Sequence, residues 1–111
     1  MTRLLDSSGV SLEADGCTLT VEGQVGFEAA SALAEAGHSW LVDQPAGTAV
    51  AFDLSGVADV SSAALSVMLE WARAARAADL ELQVVRLSPA LRRLADLAGL
   101  ERLLPVENAG A

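Results

Sequence analysis

Apolar and polar residues alternate in two short runs, Val10 to Ala14 and Cys17 to Glu22, with Asp15-Gly16 between them. A period of two is that of a half-buried strand, and Asp-Gly is a strong local signal for a tight hairpin. The pattern predicts two antiparallel strands, with Cys17 inside the second. After Gly23 the period lengthens: Phe27, Ala30, Leu33, Ala34, Trp40 and Leu41 recur at helical spacing. Glu28 stands in the first turn, where the helix dipole favours negative charge. A first helix is expected here, with Gly37 as a candidate interruption. Gln44-Pro45-Ala46-Gly47 reads as a turn, and the apolar run Thr48 to Leu54 as a buried strand in the middle of a sheet.

From Ser62 to Ala78 nothing breaks a helix. At 100° per residue, Leu65, Met68, Leu69, Ala72 and Ala75 share an apolar side, while Ser62, Ser66, Glu70 and Arg73 fall opposite. Leu80, Leu82, Val84 and Val85 suit another strand. Ser88-Pro89 then opens a last helix as N-cap and first-turn proline, burying Leu91, Leu94, Ala95 and Ala98 and stopping at Gly99. Leu103 to Val106 adds an edge strand, and a polar tail from Glu107 is expected to be disordered. The predicted order is ββαβαβαβ, an α/β fold with a mixed, mostly parallel sheet, right-handed crossovers and the hairpin as its antiparallel edge. Residues 1–111 form one domain with an ordered core over about 8–106, since this length suits a single hydrophobic core.

Composition narrows the function more than the fold. About half the residues are apolar but only 4% are aromatic, so the core rests on Leu, Val and Ala rather than on a ligand-stacking surface. The formal charge is −8, and the seven basic residues are arginines scattered from Arg3 to Arg102. That balance argues against nucleic acid as a partner, because phosphate-backbone binding needs a basic footprint. Cys17 is the single cysteine, which excludes an internal disulfide and suits a reducing cytosol. Met1 to Leu5 lacks the basic head of a signal peptide, and no apolar stretch approaches membrane-spanning length. A cytoplasmic protein without direct membrane insertion is expected, with docking onto a membrane complex still open.

Candidate chemistry is sparse. His38 is the single histidine and lies on the first helix, a place more typical of a surface residue than of a general base. Carboxylates are spread singly, without neighbouring His or Cys, so no metal site is expected. Neither a P-loop nor a dinucleotide fingerprint follows any strand, so no cofactor is expected and any ATP belongs to a partner. No catalytic residue is assigned. Cys17 is read as a small core side chain. Trp71, at the margin of the apolar arc, suits both core packing and an interface anchor.

The stretch Phe52 to Leu65 passes from a strand through a tight loop into a helix, and Val60-Ser61-Ser62-Ala63-Ala64-Leu65 opens that helix. In this it resembles the STAS domains, shared by anti-sigma factor antagonists, anion-transporter tails and the MlaB subunits of Mla phospholipid transporters. The element order fits over nearly the whole chain, and the run Ala63 to Trp71 looks most like the MlaB branch. The resemblance implies that Ser62 occupies the place of the phosphorylated serine of the antagonists, and of the Ser or Thr with which MlaB meets its ATPase. It implies a regulatory binding protein whose partner is an ABC transporter ATPase or, alternatively, an anti-sigma kinase. Ser61 replaces the family's acidic residue, with Asp59 two places earlier, and Ala64 replaces its glycine. Both departures bear on the phospho-switch. Ser61 or Ser62 also suits a plain N-cap. Ser61, Ser66, Glu70 and Arg73 would extend a partner-binding strip from Ser62, or form an ordinary solvated face. An exposed edge strand or Trp71 would permit a weak homodimer.

Overall fold

A computed structural model of the chain describes residues 2–7, 9–57, 62–102 and 104–106. Five strands form one sheet in sequence order: β1 (Thr2–Ser7), β2 (Val10–Asp15), β3 (Thr18–Gly23), β4 (Ala49–Val57) and β5 (Glu81–Leu87). Three helices, α1 (Phe27–Val42), α2 (Ser62–Ala77) and α3 (Pro89–Leu97), alternate with the later strands. β1, β2 and β3 pair antiparallel, whereas β3–β4 and β4–β5 are parallel. The mixed α/β architecture is as expected from the sequence. The expected order ββαβαβαβ is altered at both ends.

At the N-terminus, Thr2–Ser7 adds a strand that the hydrophobic pattern did not signal. Its inward residues Leu4 and Leu5 are adjacent rather than alternating, and the register with β2 shifts between Arg3 and Leu5. A bulge there erases the period of two. Arg3 binds Asp6 at 2.8 Å and reaches across to Glu13 of β2 at 2.6 Å. The hydrogen bond to Glu13, then that to Asp6, raises the Arg3 pKa above its ordinary value. At the C-terminus, the expected edge strand reduces to a single parallel bridge between Val106 and Val85, preceded by a 3-10 turn at Leu100–Arg102. Pro105 explains the shortness: it accepts the Val85 N–H but has no N–H of its own to donate to a ladder. Leu103 and the tail at 107–111 lie outside the described residues.

The hairpin pairs Asp15 with Thr18, so its two turn residues are Gly16 and Cys17 rather than Asp15 and Gly16. Only the first turn residue has positive φ, 61° at Gly16, which is where a two-residue hairpin of this kind wants glycine. The shift takes Cys17 out of the strand and out of the core; it is exposed at the tip.

Burial alternates along β2 and β3 and along β4 as far as Leu54, with Leu12, Leu19, Val21, Phe52 and Leu54 fully inaccessible. One sheet face therefore carries the core. β4 is flanked on both sides, by β3 and β5, but its other face is half-buried at Ala49, Ala51 and Asp53 rather than covered. The buried stripe of α1 is Ala29, Leu33, Gly37 and Leu41, at strict four-residue spacing. Gly37 does not interrupt the helix. It lies under the Trp71 indole of α2, whose Nε1 donates to the Ala34 carbonyl at 3.2 Å. Trp71 is 0% exposed and meets Phe52 edge-on, which settles its place in the core and removes it as a dimerisation anchor. In α3 the Ser88 hydroxyl accepts the Leu91 N–H at 3.3 Å, as its N-cap position requires. Leu91 and Ala95 are buried, Leu94 is half-buried, and Ala98 is exposed because it is already the C-cap.

The end of α2 shows a residue out of its preferred conformation. Asp79 has φ of 58°, with Leu80 N–H bonded to Ala75 C=O at 2.9 Å and Asp79 N–H to Arg76 C=O at 3.1 Å. This is the Schellman closure, whose left-handed position favours glycine. A carboxylate also opposes the negative end of the helix dipole there. Asp79→Gly is expected to raise stability by about 0.5–1 kcal/mol, read as a higher urea midpoint with unchanged slope.

Candidate functional site

The site lies where β4 ends and α2 begins. Between Thr20/Asp53 and Glu22/Gly56 the β3–β4 register gains one residue on β4, a bulge that bends the strand end. Asp53 holds it: its Oδ1 accepts the Ser55 N–H at 3.0 Å and the Ser55 hydroxyl at 2.6 Å. Gly56 then passes so close to β3 that a Cβ would lie 2.9 Å from Glu22 Cγ. The strand end is thus fixed on both sides before the chain turns towards the helix. Residues 58–61 lie outside the described residues, and with them Ser61 and Asp59.

Ser62 is the first residue of α2 and is exposed, at the helix end whose free N–H groups favour negative charge. Ala63, Ala64 and Leu65 behind it are all buried, so the first turn is clamped onto the core while the serine faces outward. The Ser66 hydroxyl donates to the Ser62 carbonyl at 3.0 Å. Glu70 and Arg73 continue the same face and pair with each other at 2.7 Å. All four are exposed, and the helix brings them into one strip, as their spacing predicted.

The sequence did not single out what flanks that strip. Phe27, read as part of the apolar stripe of α1, is 86% exposed at the first position of that helix. Together with Ala30, Ser31 and Ala34 it faces Ala63, Ser66, Val67 and Glu70 across a shallow groove of about 260 Å³. Phe27 is out of step with the four-residue spacing that the structure gives from Ala29 to Leu41. A largely exposed aromatic ring beside small side chains suits an interface anchor.

His38, Ser31, Glu35 and Glu70 border one hollow, but all are exposed and no hydrogen bond joins them among the described residues. A nucleophile and base would need that bond. Among the described residues no group of three His, Cys, Asp or Glu side chains is placed to hold a metal ion. No described helix is long and apolar enough to cross a membrane.

Fold and site together define a small α/β domain that presents a serine-headed helix and a shallow apolar groove at one end of its sheet. The chain belongs to the STAS family: the family described as "Mlab, STAS domain" matches residues 8–105. Among solved structures it is similar to an anti-sigma factor antagonist from Mycobacterium paratuberculosis, with 25% identity and a TM-score of 0.67. The match covers 90% of this chain and 85% of that one. No curated protein matches. STAS domains are generally regulatory modules that act on partner proteins.

Proposed function

We propose that the chain is a non-catalytic accessory protein that binds and regulates the cytoplasmic ATPase of an Mla-type phospholipid ABC transporter. The observation that carries this reading is the family match over residues 8–105, which bears the Mlab description, joined to an exposed Ser62 at the head of α2. The contact surface is Ser62, Ser61, Ser66, Glu70 and Arg73, with Phe27 as its apolar anchor. The protein works in the cytoplasm and reaches the membrane only through its partner.

The similarity to an anti-sigma factor antagonist favours a second reading, in which the same surface holds an anti-sigma kinase until Ser62 is phosphorylated. A phosphate there adds about two negative charges at the positive end of a helix, where it is tolerated without unfolding. Release would then come from repulsion of an acidic partner patch. Replacement of the family's acidic residue by Ser61 weighs against this reading.

Affinity purification of the tagged protein from its native cells, in mild detergent, separates the two. Recovery of an ABC ATPase with its permease, at least about tenfold reduced by Ser62→Glu and retained by Ser62→Ala, is expected. Recovery of a soluble kinase instead, with phosphate on Ser62, would replace the transporter reading by the antagonist one. Phe27→Ala is expected to weaken capture by either partner while leaving the unfolding midpoint nearly unchanged, because the ring is already in water.

A further inference from the structure

We propose that the outer edge of β1 pairs antiparallel with β1 of a second copy, joining two five-stranded sheets about a twofold axis. This holds whichever partner occupies the Ser62 face. β1 ends the sheet, and among the described residues no other strand or loop pairs with its outer side. An end strand left in this state is a template for another chain. The charges of Arg3 and Asp6 and the bulge between them turn most strands away, so the occupant has to match both.

A second copy matches both. In an unbroken strand, residues three apart lie on opposite faces, and Arg3 and Asp6 would point apart. The register shift removes that mismatch. Arg3 pairs with Glu13 and Asp6 with Ser11, two positions apart on β2 and therefore on one face, the face away from the core. Counted in paired positions, with Leu4 as the extra residue, β1 runs Thr2, Arg3, Leu5, Asp6, Ser7, and its midpoint is Leu5. Two copies running antiparallel about that midpoint set Arg3 of each opposite Asp6 of the other, and Leu5 opposite Leu5. Both charged residues are exposed, and opposite charges directly across an antiparallel pair are favourable where like charges are not. Arg3 already binds its own Asp6 and Glu13, so in the pair it stays held by Glu13 and exchanges one Asp6 for the other.

The helix beside this edge leaves room for the contact. α1 packs on β1 and β2, and the side it turns away from α2 carries Ala32, Ala36 and Ser39 at helical spacing. Small side chains there let the two α1 helices lie close, where long ones would hold the strands apart. Six residues of edge per copy make a small interface, so the dimer is weak, with a dissociation constant on the order of 100 μM. The charge of −8 on each copy acts against it, and salt at about 0.15 M screens that repulsion beyond about 8 Å. The Ser62 face begins after β4, three strand spacings or about 14 Å from β1, so the pair presents two such faces, both open.

The test is sedimentation equilibrium of the full chain at about 0.15 M salt, over about 10 to 500 μM protein. A monomer–dimer equilibrium is expected. Arg3→Asp sets two carboxylates across each contact and Asp6→Arg two guanidinium groups, so each variant alone should dimerise at least about tenfold more weakly. Mixed in equal amounts, the two variants meet with opposite charges at both contacts, and heterodimers at least as tight as the original dimer are expected. Mixing would not rescue a β1 that had merely come loose, and circular dichroism should show both variants folded, since both side chains are exposed. A chain that stays monomeric over the whole range, a single variant that dimerises as the unaltered chain does, or a mixture that remains monomeric would overturn the proposal. So would loss of the dimer in Phe27→Ala, which gives the contact to the groove between α1 and α2.

Discussion

Trp71→Ala is expected to destabilise the domain by about 3–5 kcal/mol, the range for emptying a large aromatic site. Domains of this kind hold about 5–15 kcal/mol in total, so the loss takes a large share of the stability and should lower the urea midpoint markedly. The indole is 0% exposed, meets Phe52 edge-on with ring centroids 5.5 Å apart, and donates its N–H to α1 at Ala34. It thus joins the sheet to both helices. Removing it leaves a void between three elements that cannot all close on it. Trp71→Phe keeps a ring against Phe52 and loses the hydrogen bond and part of the volume, so a smaller cost of about 1–2 kcal/mol is expected. Urea unfolding should be followed by far-UV circular dichroism, because the substitution removes one of the two tryptophans that give the fluorescence signal. A cost for Trp71→Ala below about 1 kcal/mol would mean that the indole is not the keystone of this core.

Much of the fold was legible because the sequence is locally consistent. Alternation marked β2 and β3, the 3.6 period marked α2, and Ser88-Pro89 with Gly99 bracketed α3 at the residues where the structure starts and stops it. What escaped notice did so for physical reasons. β1 carries a bulge and a charged outer edge, which protect an end strand but destroy the alternation that would announce it. The hairpin slipped by one residue because Asp-Gly signals a turn without saying which position takes the positive φ. Only a register measured against β2 decides that, and with it whether Cys17 points inward.

The site was half legible. The strip Ser62, Ser66, Glu70 and Arg73 follows from helical geometry alone, and the structure gathers it on one exposed face. The role of Ser62 came from resemblance, since a serine heading a helix is equally a cap. Phe27 was hidden because an apolar residue near a helical stripe is naturally counted into it. Only the packing of α1 against α2 shows that the stripe passes through Ala29 and Gly37, leaving the ring in water.

Gly37→Ala should reverse the sign that helix propensity predicts. In an exposed helix interior, alanine is more favourable than glycine by about 1 kcal/mol. At Gly37 a Cβ would overlap Cε2 and Nε1 of the Trp71 indole and stand 2.6 Å from Cζ2. The ring has nowhere to retreat, held by Phe52 on one side and tied through its N–H to Ala34 on the other. Overpacking of a filled core costs about 1–3 kcal/mol, so a net loss is expected despite the gain in propensity, with Gly37→Val worse because it adds two more carbons. The decisive comparison repeats Gly37→Ala in the Trp71→Phe background. Phenylalanine lacks the indole nitrogen and the fused ring that carry the clash, so the alanine should there be much less costly, with a coupling of about 1 kcal/mol or more between the two sites. Strict additivity would show that the indole does not confine Gly37. Coupling would show why a helix with no break keeps a glycine at its centre: the residue is space left for a tryptophan, and the α1–α2 contact that presents the Ser62 face is built around it.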